Sequence, residues 1–238
     1  MRLIPTLMRQ PVTSPEPIVL SWSGGKDSSL ALAALRQDER FEVVALLTSV
    51  TRDYDRVSIH GVRRSLLEAQ AKAIGLPLFE LTLEALSSNE AYESAFRIAV
   101  ERLRIVFPGM RRMAFGDLFL ADVRAYRERL AESVGIEAAF PLWGRDTAEL
   151  AVEFVTAGYH AHLVCVDTQQ LSEQFTGREF DDALLKALPT TVDPCGEHGE
   201  FHTFVSDGPI FTEPVAVTLG EVVLRDARFA YCDLLPVA

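Results

Sequence analysis

The sequence predicts an α/β protein, with a parallel sheet under helices over residues 17–140 and a smaller α+β region over 141–238. Three observations predict it. Short apolar runs, several rich in β-branched residues, alternate with helix-length amphipathic runs through the first half, the pattern of strand–helix–strand crossovers. Glycine or Pro-Gly closes the helical runs, at Gly75, Pro108-Gly109 and Gly135. After about residue 145 the alternation fails, and short β-like pieces with turn residues take over.

Taken in order, 18–22 is an apolar strand and 27–37 (DSSLALAALRQ) a helix. Residues 43–48 give a second strand, 61–74 a helix ending at Gly75, and 77–81 a third strand. A long helix over 90–107 stops at Pro108; 112–115 is a fourth strand, and 120–134 a helix closed by Gly135. In the second part, Asp146 is placed to N-cap a helix running to Ala157, and 160–166 alternates as a strand. A Gly/Pro/Glu/His-rich stretch, 194–209, follows, and then β-like pieces at 215–219 and 221–231. Proline-broken residues 1–16 read as a disordered leader without a signal sequence's continuous apolar run. The boundary between the two regions falls near 135–145, with no visible linker.

Charge is unevenly placed. The chain has 238 residues, with 23 Lys+Arg against 34 Asp+Glu, net −11. Residues 1–119 carry 15 basic and 14 acidic side chains (+1), and 120–238 carry 8 and 20 (−12). An acidic half argues against general nucleic-acid binding, which needs clustered Lys and Arg. No apolar run reaches the roughly 18 residues of a membrane helix. Three widely spaced cysteines (Cys165, Cys195, Cys232) fit a reducing compartment rather than a disulfide framework, so a cytoplasmic protein is expected. A homo-oligomer is compatible with all of this.

The most informative residues are Ser23-Gly24-Gly25-Lys26-Asp27-Ser28, between the first strand and first helix. Two glycines let backbone N–H groups approach an anion, and the following helix points its positive end at the same place. Ser23 and Ser28 add hydroxyls, and Lys26 adds a full charge. The set suits a diphosphate. It is not a Walker A loop, which would need glycine where this chain has Leu20, nor a Gly-x-Gly-x-x-Gly fingerprint.

Two further segments carry candidates. Phe115-Gly116-Asp117 ends the fourth strand, at the sheet edge where open α/β folds bind ligands. There Gly116 would let a substrate near the backbone, and Asp117 would hold Mg²⁺ or a ribose hydroxyl unless it is simply a helix cap. Residues 194–204 (PCGEHGEFHTF) pack two carboxylates and two imidazoles among glycines, chemistry for a general base or a cation site. A zinc site from Cys195, His198 and His202 would lack a fourth ligand, and a glycine turn into a strand with solvated charges is the plain structural reading. Cys165 in HLVCV reads as core, as does Trp143; His160 and His162 share one strand face, and the Arg pairs at 63–64 and 111–112 read as solvated.

The hexapeptide SGGKDS resembles the PP-loop of the ATP pyrophosphatase superfamily, which implies a Rossmann-like fold of the HUP type. It also implies that Ser23, Gly24, Gly25, Lys26, Asp27 and Ser28 hold the pyrophosphate of ATP, with Mg²⁺. HGVRRSLLEAQAKAIGLPL (60–78), FGDLFLADVRAYRERL (115–130), FPLWGRDT (140–147) and GEHGEFHTFVSDGPIF (196–211) are similar to segments of the diphthine–ammonia ligase family. That resemblance implies adenylation of a carboxylate, release of pyrophosphate, attack by ammonia and departure of AMP, the acceptor being diphthine on elongation factor 2. Thr48, His60, Gly116 and Asp117 would complete the nucleotide site, Asp27 and Asp117 would hold Mg²⁺, and Gly196, Glu197, Glu200 and Thr203 would line the acceptor side. Lys26, Asp27, Glu197, Glu200 and His202 would do the chemistry. The family loop often has Asn or Gly where this chain has His198.

An elongation factor 2-like protein or a small molecule would supply the acceptor carboxylate. No glutaminase pattern is present, so ammonia would arrive free or from another protein. A PP-loop RNA-thiolating enzyme would need reactive cysteines and a basic face, and a regulatory nucleotide-binding module would not need an intact hexapeptide. The acidic second half suits ammonium, or a trimethylammonium beside the acceptor carboxylate, better than RNA.

Overall fold

A computed structural model describes residues 14–52, 56–57, 61–85 and 87–237. Most of the expected leader, residues 1–13, and the candidate His60 lie outside the described residues.

The first strand, β1 (Glu16–Ser21), buries Ile18, Val19 and Leu20 completely, as a central parallel strand covered on both faces must. It pairs in parallel with β2 (Phe41–Thr51) on one side and β5 (Arg112–Ala114) on the other. β2 continues in parallel to β4 (Leu78–Leu83), and β5 to β6 (Glu137–Ala139). The result is a five-stranded parallel sheet in the order β4-β2-β1-β5-β6, with the short β3 (Arg56–Val57) antiparallel at the end of β2.

Period-two alternation assigns the faces. Ile18 and Leu20 pack with Leu30, Leu32, Leu66 and Ile74 of α1 (Lys26–Gln37) and α2 (Arg64–Ile74). Val19 faces the other way, into Phe96, Val100 and Leu130 of α3 (Asn89–Val106) and α4 (Ala121–Ser133). Strand order therefore reverses at β1, with β2 and β4 to one side and β5 and β6 to the other. The switch point between β1 and β5 opens a crevice at the carboxyl ends of these strands.

The C-terminal region holds α5 (Thr147–Thr156), β7 (His160–Asp167), α6 (Asp182–Ala187), β8 (Phe201–Asp207), β9 (Val217–Arg225) and β10 (Phe229–Pro236). Its four strands form an antiparallel sheet, β8-β7-β10-β9. Asp146 caps α5 as expected, accepting from the Glu149 N–H at 2.9 Å. The plain reading of 194–204, a glycine turn into a strand, matches the fold: the chain is irregular up to residue 200, and from Phe201 it is strand β8, with Phe201, Thr203, Phe204 and Val205 buried. Two expectations need correction. The break expected at Gly220 does not occur: β9 runs through it, and the hairpin turns at Asp226 and Ala227, whose φ values of 52° and 49° are those of a primed turn. The helix expected from 61 begins at Arg64, because Gly61 takes a left-handed φ of 68° and Arg63, the N-cap, is extended.

The two sheets share one core. Phe154, Phe180, Phe201 and Phe204 belong to the same cluster as Leu30 and Leu66. Gln70 fastens them: its amide donates to Gly24 O at 3.0 Å and Val205 O at 2.6 Å, and its Oε1 accepts from the Trp22 indole at 2.9 Å. This places β8 directly over the turn that follows β1.

Candidate active site

The turn after β1 is built by its own small residues. Gly24 takes φ 80°, and Gly25 precedes α1 in extended conformation. The Gly25 N–H donates to Ser23 Oγ at 3.2 Å, while the Ser28 and Ser29 hydroxyls donate to Gly25 O at 2.9 and 3.0 Å. Gly116, at the end of β5, lies against this helix start: a Cβ there would stand 3.1 to 3.2 Å from the Asp27 carbonyl and the Ser28 nitrogen. The expectation that Gly116 admits substrate to the backbone is therefore revised. What approaches Gly116 so closely is the first turn of α1.

Two adjoining cavities open at the switch point. The larger, about 280 Å³, combines apolar walls (Leu47, Leu81, Phe96, Phe115) with Thr48, Tyr92 and Arg127. The smaller, about 170 Å³, is lined by Lys26, Cys195, Gly196, Phe201 and Thr203. Ser23, Asp27, Asp117, Glu197 and His202 line both. The first chamber suits a flat ring that stacks on its apolar wall and carries hydrogen-bonding groups at its edge; Thr48 Oγ1 is buried there with no hydrogen-bond partner. The second is small, polar and charged.

Electrostatics concentrates on the shared wall. Lys26 is buried, and its ammonium contacts both Asp27 oxygens at 2.7 and 2.8 Å. Burial alone would lower its pKa, but Asp27, Cys195 and Glu197 outweigh this and hold it above the ordinary lysine range. Burial, with the neighbouring Asp27 carboxylate, pushes the Glu197 carboxyl up to about 7 against the pull of Lys26. Burial also raises the Asp117 carboxyl, opposed by Arg127, whose Nε lies 3.8 Å from Asp117 Oδ2. Arg127 also donates to the Tyr92 hydroxyl at 3.2 Å and spans the Phe115 ring at 5.1 Å.

The structure gathers Ser23, Gly24, Gly25, Lys26, Asp27, Ser28, Gly116, Asp117, Gly196, Glu197, His202 and Thr203 around one cleft, with Thr48 at its inner end. One of the acceptor-side expectations changes. Glu200 lines neither chamber; it is buried, and its carboxylate accepts from the Asp193 and His198 N–H groups, both at 2.9 Å. It holds the turn rather than facing a substrate. Thr203 does reach the second chamber, but its hydroxyl accepts from the Lys26 N–H at 3.0 Å. The zinc arrangement is not assembled: the Cys195 thiol donates to Thr147 O at 3.2 Å, and His198 packs edge-on against Phe119 at 5.5 Å. Among the described residues no group of three His, Cys, Asp or Glu side chains is placed to hold a metal ion. A magnesium ion bound with phosphates needs less, one or two carboxylates completed by phosphate oxygens and water, and Asp27 and Asp117 on the shared wall fit that need.

Sequence reasoning missed Asp193, Arg127 and Tyr92. Asp193 accepts from the Cys195 and Glu197 N–H groups at 2.8 and 3.3 Å and from the Thr147 hydroxyl at 2.7 Å, so it shapes the turn that carries Glu197. An Asp two residues before a Cys-Gly turn is an Asx signal that was available in the sequence. Arg127 and Tyr92 come from α4 and α3, and nothing local marks them.

Comparison with known proteins decides the family. The model described as the diphthamide synthase N-terminal domain matches residues 17–138, and that of the diphthamide synthase C-terminal domain matches 146–233. The chain belongs to the diphthamide synthase family. Curated relatives named diphthine–ammonia ligase include a Danio rerio protein, 27% identical over 228 residues that cover 87% of this chain and 89% of that protein. The Homo sapiens protein is 25% identical over 232 residues (86% and 84%). The Schizosaccharomyces pombe protein is 26% identical over 219 residues (84% of this chain), and this chain spans only 36% of its length. Within the family frame, both chambers are built across the two matched regions: Ser23 to Ser28 and Asp117 from the first, Glu197 and His202 from the second.

Proposed function

We propose that this diphthamide synthase family member is an ATP-dependent amide-forming ligase that adenylates a carboxylate and passes the acyl group to ammonia, as the name of its relatives indicates. The observation that carries this reading is the shared wall. A chamber that sets an apolar wall of Leu47, Leu81, Phe96 and Phe115 among polar side chains, as adenosine requires, opens onto a smaller chamber holding Lys26 through Ser23, Asp27, Asp117, Glu197 and His202. A nucleotide seated in the first chamber would present its α-phosphate at that wall and its outer phosphates to Lys26. Residues 17–140 would then hold the nucleotide and 141–238 the acceptor.

The acceptor carboxylate oxygen attacks the α-phosphorus and pyrophosphate leaves; ammonia attacks the acyl carbon and AMP leaves. Lys26 and the N-terminal end of α1 neutralise the departing pyrophosphate. Bound magnesium, held by Asp27 and Asp117, would add charge neutralisation on the phosphates. Ammonium must lose a proton before it is a nucleophile, and Glu197, titrating near pH 7 beside the reacting centre, is matched to take it. The acceptor is a diphthine-like group on a protein, and the expected compartment is the cytoplasm; no helix among the described residues is long and apolar enough to cross a membrane.

RNA thiolation is disfavoured by the cysteines. All three are buried, and burial pushes the Cys165 thiol up to about 11 and Cys195 up to about 12, the opposite of a sulfur carrier's needs. The test is product analysis with ATP, magnesium, ammonium and a diphthine-bearing acceptor. AMP and pyrophosphate formed in step with amide support the reading; ADP and phosphate would overturn it.

A further inference from the structure

The edge of the C-terminal sheet farthest from the active site carries a surface that this chemistry does not use. β8, which bears His202 and Thr203, is one edge; β9 is the other and, among the described residues, pairs only with β10. β9 is nine residues long, contains neither Lys nor Pro, and exposes Leu219, Val222, Val223 and Leu224 at 43 to 53%. The pairing with β10 sets two residues of β9, Gly220 and Glu221, opposite Asp233, so Leu219, Val222 and Leu224 lie on one face and Val223 on the other. Native edge strands are ordinarily blunted by lysine, proline, bulges or covering structure. β9 has a bulge at 220–221 and, from there to Arg225, a regular five-residue edge without lysine, proline or a covering strand.

Its only charged residues are Glu221 and Arg225, and neither forms an ion pair among the described residues. They flank Val223 symmetrically, two positions to either side. An antiparallel strand with its own sequence, centred on Val223, would therefore set Glu221 opposite Arg225 twice and Val222 opposite Leu224 twice. Val223 would face its own copy. A pattern complementary to itself under reversal is what a two-fold strand interface requires.

We propose that β9 pairs antiparallel with β9 of a second copy of this chain, about a two-fold axis at Val223. The two four-stranded sheets then become one continuous sheet. Over 221–225 the free N–H and C=O groups of both edges are paired, and Val222, Val223 and Leu224 gain cross-strand neighbours. Because β8 lies at the far edge of each half, the two active sites sit at opposite ends, each complete within one protomer.

Sedimentation of the full chain from micromolar to hundreds of micromolar tests this. The expected result is a monomer–dimer equilibrium approaching 2 × 26.4 kDa. Glu221→Arg and Arg225→Glu each oppose like charges, and each should raise the dissociation constant roughly tenfold or more. An equimolar mixture of the two variants should dimerise again, since every opposed pair is once more an acid against a base. Circular dichroism and nucleotide-dependent pyrophosphate release should match wild type in both variants, as a control for folding. A wild-type chain that stays monomeric overturns the proposal. So do single variants that dimerise as well as wild type, or a mixture that stays monomeric.

Discussion

The backbone N–H of Lys26 donates to the hydroxyl of Thr203 at 3.0 Å, across 177 positions of sequence. The first residue of α1 is thus fixed by a strand of the other sheet. Together with the Val205 N–H to Gly24 O bond at 2.9 Å, this makes the phosphate turn a joint product of both regions. Thr203→Val keeps the shape but leaves a buried N–H without an acceptor, which costs about 1–3 kcal/mol. In a chain of this size each kcal/mol lowers the melting temperature by roughly 2–4 °C. Thr203→Ser, which keeps the oxygen, should melt close to wild type. Calorimetry on the pair checks this, and equal melting temperatures would show that the hydroxyl does not hold the turn.

Glu200 gives a sharper separation of roles. Its carboxylate holds two N–H groups of the turn that carries Glu197. Glu200→Ala should lose both bonds, lower stability by about 2–4 kcal/mol on the same accounting, and lower turnover by displacing Glu197. Glu200→Gln retains an acceptor for one N–H and should fall between. A catalytic base at this position would behave otherwise, with Glu200→Gln inactive yet as stable as wild type. Urea unfolding alongside pyrophosphate release distinguishes the two.

These two residues also mark how far the sequence could be read. Ser23 to Ser28 were legible because their geometry is local: glycine freedom, serine hydroxyls and a helix start all fall within six positions. Helix ends were legible for the same reason, as at Gly75, whose N–H closes α2 on Ala71 O and Lys72 O. The strand from Phe201 was legible as a turn into a strand, but its polar alternation suggested solvated charges rather than burial. Its burial comes from stacking on α1, which no window of sequence contains. Glu200 looked available for chemistry because composition shows a carboxylate and not its two N–H partners. The turn at Asp226 was missed because neither central residue is glycine, while Gly220, which signals a break, sits at a bulge inside β9.

Arg127 bears on the nucleotide chamber. It is held by the Tyr92 hydroxyl and the Phe115 ring, it faces Asp117, and its Nε is buried without a hydrogen-bond partner. A guanidinium kept this way beside the shared wall is prepared for an anionic ligand. Arg127→Met should weaken ATP binding roughly tenfold, about 1.4 kcal/mol, with little change in melting temperature in the absence of nucleotide. Arg127→Lys should recover only part of the loss, because a point charge cannot span Tyr92 and the ligand together. Titration calorimetry with ATP decides this; unchanged affinity in Arg127→Met would remove Arg127 from the site.

Glu197 makes a prediction in pH. Its carboxyl is pushed from the ordinary 4.5 up to about 7, so below pH 7 it is mostly neutral and cannot take a proton from ammonium. The amide-forming rate should therefore rise through pH 7 with a limb that Glu197→Gln lacks. Free ammonia also increases with pH, so the informative quantity is the ratio of wild-type to variant rate at each pH; it should climb between pH 6 and 8, around the value near 7, and then level off. The same shift has a stability consequence of defined sign. A carboxyl with a raised folded-state pKa is stabilising in its neutral form, fully so below about 4.5, and that contribution is lost as pH rises through about 7. Glu197→Gln should then be more stable than wild type at pH 8, by about 1–2 kcal/mol after solvent screening, and nearly equal to it at pH 4.5. A variant that gains stability at pH 8 but keeps the wild-type rate profile would place Glu197 in a strained position without a role in proton transfer. A flat stability difference would show that the carboxyl is not held near neutrality at all.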